Sequence, residues 1–346
     1  MTTLPISQFL VASIALAVPL GFLLGALLGS RRAPFRAAMI AASVAVVHAG
    51  IVGAAVAVAA RPPTLGVRLD LVTGVMLLLV AMIGLVIVRF SRTYLEGDPG
   101  APRYARWLLA TLAAVTALVI ANNLLVMALA CTAASVALHQ LLTFYDRPAA
   151  LVAAHKKFLI SRVADVCMWA AIVLVNRAVG SLELDAVYAW VGAHEALPLS
   201  LHLAAGLFVA AACLNSAQLP FHGWLTQVME APTPVSALLH AGVINIGGFL
   251  MIRLAPLMAH APGAQLLLVT VGMVTTVVAA LVMTTRVSIK VSLAWSTCAQ
   301  MGFMLVQCGL GAWHLALLHL VAHSFYKAHA FLSSGSTVDV WRVQSL

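Results

Sequence analysis

The stretch LNSAQLPFHGWLTQVMEAPTPVSALLHAGVINIGGFLMIRLAP, Leu214 to Pro256, decides how the rest of the chain is read. It begins apolar, meets Pro220, and then carries His222, Trp224, Gln227 and Glu230. Pro232 and Pro234 punctuate it, and a second apolar run follows, interrupted by His240 and Asn245. In water this would be an anomalous helix pair. In a bilayer it predicts a broken helix, a tight turn and a second helix with polar groups at mid-depth. Irregular backbone at that depth survives only where protein or a water-filled cavity covers it. Ionisable groups there mark ion or substrate paths. The remaining sequence reads as the scaffold of such a path.

Composition points the same way. Of 346 residues, 63% are hydrophobic and 8% charged, against about 25% charged in a soluble domain. This excludes a soluble globule and predicts an all-α polytopic membrane protein, whose apolar runs repeatedly reach the ~20 residues that span a bilayer core. The 19 Lys and Arg outnumber the 10 Asp and Glu. The arginines sit in short loops, so the excess reads as topology by the positive-inside rule and not as a nucleic-acid surface. Cys131, Cys167, Cys213, Cys298 and Cys308 are scattered through apolar segments with no C-x-x-C pair. They read as small core residues, with no disulfide framework. No basic run precedes Phe9, so the first segment is expected to be a retained helix and not a cleaved leader.

About eleven transmembrane helices are expected. The first three cover 6–29, 37–60 and 69–90, and the fourth and fifth fill 104–145 with a turn at Asn122-Asn123. The sixth covers 158–176, and the seventh 200–230, broken near Pro220. The eighth starts at Thr233 as N-cap with Pro234 in its first turn. The last three cover 263–285, 288–309 and 312–334. Gly21, Gly25 and Gly29 repeat at a spacing that lets helices pack closely. Arg31, Arg32 and Arg36 follow, and Lys156 with Lys157 read as a loop pair that sets topology. The distribution of Arg and Lys over the loops puts the N-terminus outside and the C-terminus in the cytoplasm.

Lysine is rare: besides that pair there are only Lys290 and Lys327. A charge at the bilayer centre costs about 2.5–3.5 kcal/mol on insertion scales, and desolvation favours a neutral amine. A lysine held there can load and unload a proton. His319, His323 and Lys327 recur at i, i+4 and i+8 and share one helix stripe, which suits a proton relay because histidine titrates near neutrality. A zinc site there lacks the H-E-x-x-H glutamate, since residue 320 is Leu. Lys290, near a helix start, reads either as a path residue or as a side chain snorkelling to the interface. His240 reads as relay or as a hydrogen-bonded packing residue. Arg162 and Asp165 are spaced to pair on one helix face. Glu230 and His222 stand near the helix 7–8 turn as accessory candidates or surface groups. No phosphate loop, nucleophile–base pair or cysteine metal cluster is present in the sequence. No metal, cofactor or catalytic centre is therefore expected in this chain, and an enzyme is not predicted.

Three motifs carry a family resemblance. SAQLPFHGWLTQVMEAPTPVSALLHAG, KVSLAWSTCAQMGFM and HLVAHSFYKAHAFLSSGS resemble the antiporter-like subunits of respiratory complex I and of Mrp-type cation/proton antiporters. NNLLVMALA and KKFLISRVAD extend the likeness over roughly 105–336. It implies inverted helix repeats, a broken helix 7, and a buried polar axis holding Asp165, His240, Lys290, His319, His323 and Lys327. It also implies a division into 1–104 (helices 1–3), 105–258 (a first repeat, helices 4–8) and 259–346 (a partial second repeat, helices 9–11). Two positions depart from the family pattern: its helix-5 glutamate falls on Thr132 and its helix-7 lysine on Asn215.

The wording VALHQLLTFYDRPAALVAAHKKF is more similar to the DabB-type membrane subunits of DAB inorganic-carbon accumulation complexes. That resemblance implies a bacterial inner-membrane subunit whose ion flow drives CO2 hydration to bicarbonate. It also implies a DabA-like peripheral zinc partner on the cytoplasmic side, resembling β-carbonic anhydrases, with the zinc in that partner. Two other readings remain open: a subunit of complex I, a related hydrogenase or an Mrp antiporter, and a non-conducting membrane anchor.

Overall fold

A computed structural model describes residues 6–29, 33–58, 61–228 and 231–334. Glu230, Arg31 and Arg32 lie outside the described residues. The described residues are 83% helical. Among the described residues nine helices are long and apolar enough to cross a membrane, and α8 (Leu199–Asn215) is a shorter apolar helix. The chain divides into two compact units, residues 1–141 with 169–196, and residues 142–168 with 197–346.

The first unit contains α1 (Ile6–Leu28), α2 (Pro34–Val58), α3 (Leu71–Tyr94), α4 (Ala101–Ile120), α5 (Leu124–Leu142, to residue 141) and a short α7 (Leu184–Gly192). Gly25 of the glycine stripe sits where helices meet: a Cβ there would lie 3.2 Å from Ala41 Cβ on α2 and 3.1 Å from Leu109 Cδ1 on α4. Gly74 closes the α2–α3 approach in the same way, 3.1 Å from Gly53 Cα. Packing of this kind replaces the hydrophobic drive that lipid removes.

A segment of this unit departs from expectation. The Arg61-Pro62-Pro63 segment, expected only to end a helix, forms an antiparallel hairpin, β1 (Arg61–Thr64) and β2 (Val67–Leu69). Its turn is Leu65-Gly66, both at positive φ, 57° and 74°, the geometry tight hairpins need. Arg68 ties the hairpin down: it donates to Asp70 at 2.7 Å and to Asp185 of α7 at 2.6 Å and lies 4.7 Å over the Tyr188 ring. Asp70 also caps α3 through Thr73 N at 2.8 Å. The Asn122-Asn123 turn is where it was expected. Its backbone groups are satisfied by the segment before α7, through Leu124 N to Leu182 O at 2.9 Å and Leu184 N to Asn122 O at 2.8 Å, as buried amides require.

The second unit holds α8, α9 (Gly223–Gln227), α10 (Thr233–Ala241), a 3-10 turn Val243–Asn245, α11 (Ile246–Arg253), α12 (Ala255–Ala259), α13 (Pro262–Thr284), α14 (Ile289–Gly309) and α15 (Trp313–Ser333). The helix α6 runs Pro148–Val179, and its residues 148–168 belong to this unit. α6 therefore begins ten residues earlier than the expected start at 158. Lys156 and Lys157 are helical and not a loop pair.

Helix 7 breaks as expected. α8 stops at Asn215, and the six residues after Ser216 are irregular until α9. Gln218 Nε2 donates to Ser216 O at 2.8 Å and Thr275 Oγ1 receives Leu219 N at 3.1 Å, so neighbouring protein satisfies the opened backbone. Pro232, not Thr233, occupies the N-cap of α10. The eighth helix is also interrupted: Gly242 leaves helical geometry at φ −124°, ψ −76°. Asn245 Nδ2 covers the freed Ala241 carbonyl at 3.0 Å. Gly272 and Gly302 bring α13 and α14 together, with each virtual Cβ 2.6–2.7 Å from the other glycine's carbonyl oxygen.

Candidate functional site

The site is built on α14 and α15, with α10 and α11 against them. On α15 the i, i+4, i+8 spacing of His319, His323 and Lys327 gives one stripe, as expected. Lys327 is fully buried. Its ammonium donates to Leu293 O at 3.0 Å and to Ser296 Oγ at 2.8 Å, both on α14. A cation in an apolar bundle is tolerated only when its protons find such acceptors.

The Leu293 carbonyl has a second donor. Thr297 Oγ1 lies 3.0 Å from it and 3.1 Å from Nδ1 of His240 on α10. With the single hydroxyl proton on the carbonyl, the Thr297 oxygen receives the His240 proton at Nδ1. The Nε2 lone pair is then the free face of the ring, and that atom is buried with no hydrogen-bond partner. The ring itself is fixed by stacking on Phe331 of α15, centroids 4.2 Å apart and planes 20° apart. Lys327, Ser296, Leu293 O, Thr297 and His240 thus form one continuous strip.

His323 is 4% exposed, and neither ring nitrogen has a hydrogen-bond partner. Its ring stands edge-on to His319 at 6.1 Å, and His319 Nδ1 meets Gln307 Oε1 at 3.0 Å. Asn245 Nδ2 reaches Ser324 Oγ at 2.8 Å while its Oδ1 stays buried and unpartnered. Buried polar groups normally find partners. Four orphaned atoms lie along this region, Nε2 of His240, both ring nitrogens of His323 and Oδ1 of Asn245, and water or a transferred proton would satisfy them. The arrangement can hold a proton and pass it between amine, hydroxyl and imidazole. It holds no nucleophile–base pair.

The other expected residues are dispersed. Lys290, half-buried at the start of α14, reaches Thr233 Oγ1 at 3.4 Å. Arg162 and Asp165 pair on α6 at 3.0 Å. Asn215 is the half-buried last residue of α8, and the His222 ring lies 4.8 Å from Trp295. Among the described residues no group of three or more His, Cys, Asp or Glu converges as a metal site.

The polar residues of α14 were missed from sequence. Ser296, Thr297 and Gln307 carry no signal alone, yet Lys290, Leu293 and Thr297 recur at helical spacing, and Lys290 and Thr297 both meet side chains of α10. Lys157 was also missed. It is 4% exposed, whereas Lys156 is exposed and donates to Gln227 Oε1 of α9 at 2.8 Å. Adjacent helical residues point about 100° apart, so one of the pair turns inward.

Comparison with known proteins supplies a family and relatives. Residues 121–345 match the family model described as NADH:quinone oxidoreductase/Mrp antiporter, TM, and residues 57–105 match the complex I chain 5 N-terminus family. A probable inorganic carbon transporter subunit DabB2 of Halothiobacillus neapolitanus is 51% identical over 80% of this chain and 50% of its own length. A probable inorganic carbon transporter subunit DabB of Hydrogenovibrio crunogenus is 52% identical over 77% of this chain and 52% of its own. The chain spans about half the length of these relatives. A chain of the Mrp complex from Dietzia sp. superposes with a TM-score of 0.80 at 28% identity, over 94% of this chain and 37% of that one.

Proposed function

Because the chain belongs to the NADH:quinone oxidoreductase/Mrp antiporter transmembrane family, we propose that it is the proton-conducting membrane subunit of an inorganic-carbon uptake complex. The observation that carries the conducting role is the buried strip from Lys327 through Ser296, Leu293 O and Thr297 to His240. The relatives named as inorganic carbon transporter subunits, at 51% and 52% identity, support the carbon role. In this reading the chain is a coupling subunit of a bacterial inner membrane, with its N-terminus outside. CO2 hydration takes place in a DabA-like zinc subunit docked on the cytoplasmic side. Zinc there would generate hydroxide from bound water near neutral pH; this chain's residues carry the ion whose movement drives or gates that step.

The strip suggests how. Lys327 holds the proton against Ser296 and Leu293 O, and Thr297 keeps His240 in the tautomer whose Nε2 can accept. His323 and His319 extend the set of exchanging groups toward the other end of α15.

A second reading, a subunit of complex I, a hydrogenase or an Mrp antiporter, draws on 36% identity to NADH-quinone oxidoreductase subunit L of Mycobacterium tuberculosis. Thr132 and Asn215, standing where that family's resemblance expects a glutamate and a lysine, motivate a third reading as a non-conducting anchor. Purification from native membranes separates them. Recovery of a large zinc protein supports the carbon-uptake reading, and recovery of quinone-reducing subunits sinks it. In cells that depend on the complex, collapsing the proton gradient should stop bicarbonate accumulation. Accumulation that survives this but stops with a sodium ionophore assigns Na+ as the ion. Accumulation that survives both, together with an unaffected Lys327→Ala variant, leaves the anchor.

A further inference from the structure

Apart from the α15 strip, the buried cation Lys157 has no assigned role. Lys157 is 4% exposed on α6, a 32-residue helix apolar enough to cross a membrane. Ser161, 3% exposed, follows it by four residues, and Asp165, with a 13% exposed side chain, by eight. That spacing lays the three along one face of the helix. Asp165 has a counter-ion in Arg162, 3.0 Å away, so balancing the carboxylate does not by itself require a second buried cation. Fixing the orientation of the helix does not require it either, because Lys156 supplies an exposed cation beside it. Ionisable groups enclosed within transmembrane segments are costly and are kept where they move charge.

We propose that Lys157 is a proton-exchanging group with Asp165 as its partner, forming a second relay along α6. Transfer of one proton from the ammonium to the carboxylate leaves a neutral amine and a neutral acid, and the reverse transfer restores both charges. Arg162 stays protonated throughout and fixes the carboxylate in place. This inference rests on the conducting role proposed above.

The test compares three substitutions in the intact complex, reconstituted in vesicles with an internal pH dye under an imposed potential. Lys157→Arg keeps the charge but cannot release its proton, Lys157→His can titrate, and Lys157→Met can do neither. At equal amounts of assembled complex, proton flux should fall by about a hundredfold in the Arg and Met variants, the lower end for losing a positioned proton-transfer group. It should recover in part in the His variant. Flux in Lys157→Arg equal to that of the unmodified complex would overturn the proposal, because a merely structural cation is replaceable by arginine. Should the Arg variant fail to assemble, His flux no greater than Met flux overturns it. Lys327→Ala run in parallel separates the two claims. If Lys327→Ala blocks flux while Lys157→Arg conducts normally, only the α6 relay is wrong. If the unmodified complex conducts no protons, the conducting role and the relay are overturned together.

Discussion

α6 and α15 carry the same pattern by different means. Each places three polar side chains at i, i+4 and i+8: Lys157, Ser161 and Asp165 on α6, His319, His323 and Lys327 on α15. On α15 the stripe is titratable at every step and is met by hydroxyls and carbonyls of α14. On α6 a hydroxyl separates the two ionisable groups, and the carboxylate is held by an arginine of its own helix. The difference teaches that a relay stripe is visible in a sequence when its residue types are rare in lipid. It is hidden when its lysine lies beside another lysine and looks like a loop determinant.

The comparison can be broken in several places, and the largest effect is expected on α15. Lys327→Ala should abolish proton flux while the complex still assembles, since alanine favours helix; flux in vesicles and size-exclusion profiles read the two separately. Retained flux would remove α15 from the path. Next comes the platform under the stripe. Gly302→Ala would place a Cβ 2.7 Å from Gly272 O and from Thr276 Oγ1. Backbone must shift to admit it, costing about 3 kcal/mol, seen as a lowered Tm in detergent. An unchanged Tm would mean α13 and α14 are not so closely apposed.

A smaller effect is expected at the joint between Lys327 and His240. Thr297→Val keeps the shape but removes the acceptor of His240 Nδ1, leaving a buried donor unsatisfied at about 1–2 kcal/mol. Thr297→Ser should restore both stability and flux, and if Ser behaves like Val the hydroxyl is not what holds the ring. Least is expected from Lys156→Ala. It removes one exposed hydrogen bond to Gln227 and should cost less than about 1 kcal/mol, with flux intact. A Lys156→Ala variant that loses flux would erase the distinction drawn between the two neighbouring lysines.

Legibility followed residue rarity and period. The broken helix after Asn215 was readable because Pro220 and the polar run His222 to Gln227 cannot continue an apolar span. The second break, at Gly242, was not, because a glycine followed by Val243 and Ile244 is compatible with an uninterrupted helix. The length of α6 was underestimated for a related reason. His155, Lys156 and Lys157 suggest water, whereas two of the three are exposed and the third is buried. α7 and the β1–β2 hairpin escaped because both are short and owe their place to distant partners: Arg68 with Asp185, and Asn122 with Leu184.

The amino-acid sequence alone establishes a helical membrane protein, where most of its long helices run, and that His319, His323 and Lys327 share a face. Those properties follow from transfer energies and from the fixed 3.6-residue turn, which act on a segment regardless of its neighbours. Packing between helices sets which polar groups are paired, which nitrogens are left orphaned, and which of two adjacent lysines leaves the solvent. Burial and hydrogen bonding are properties of the elements that pack together, and no single helix specifies them.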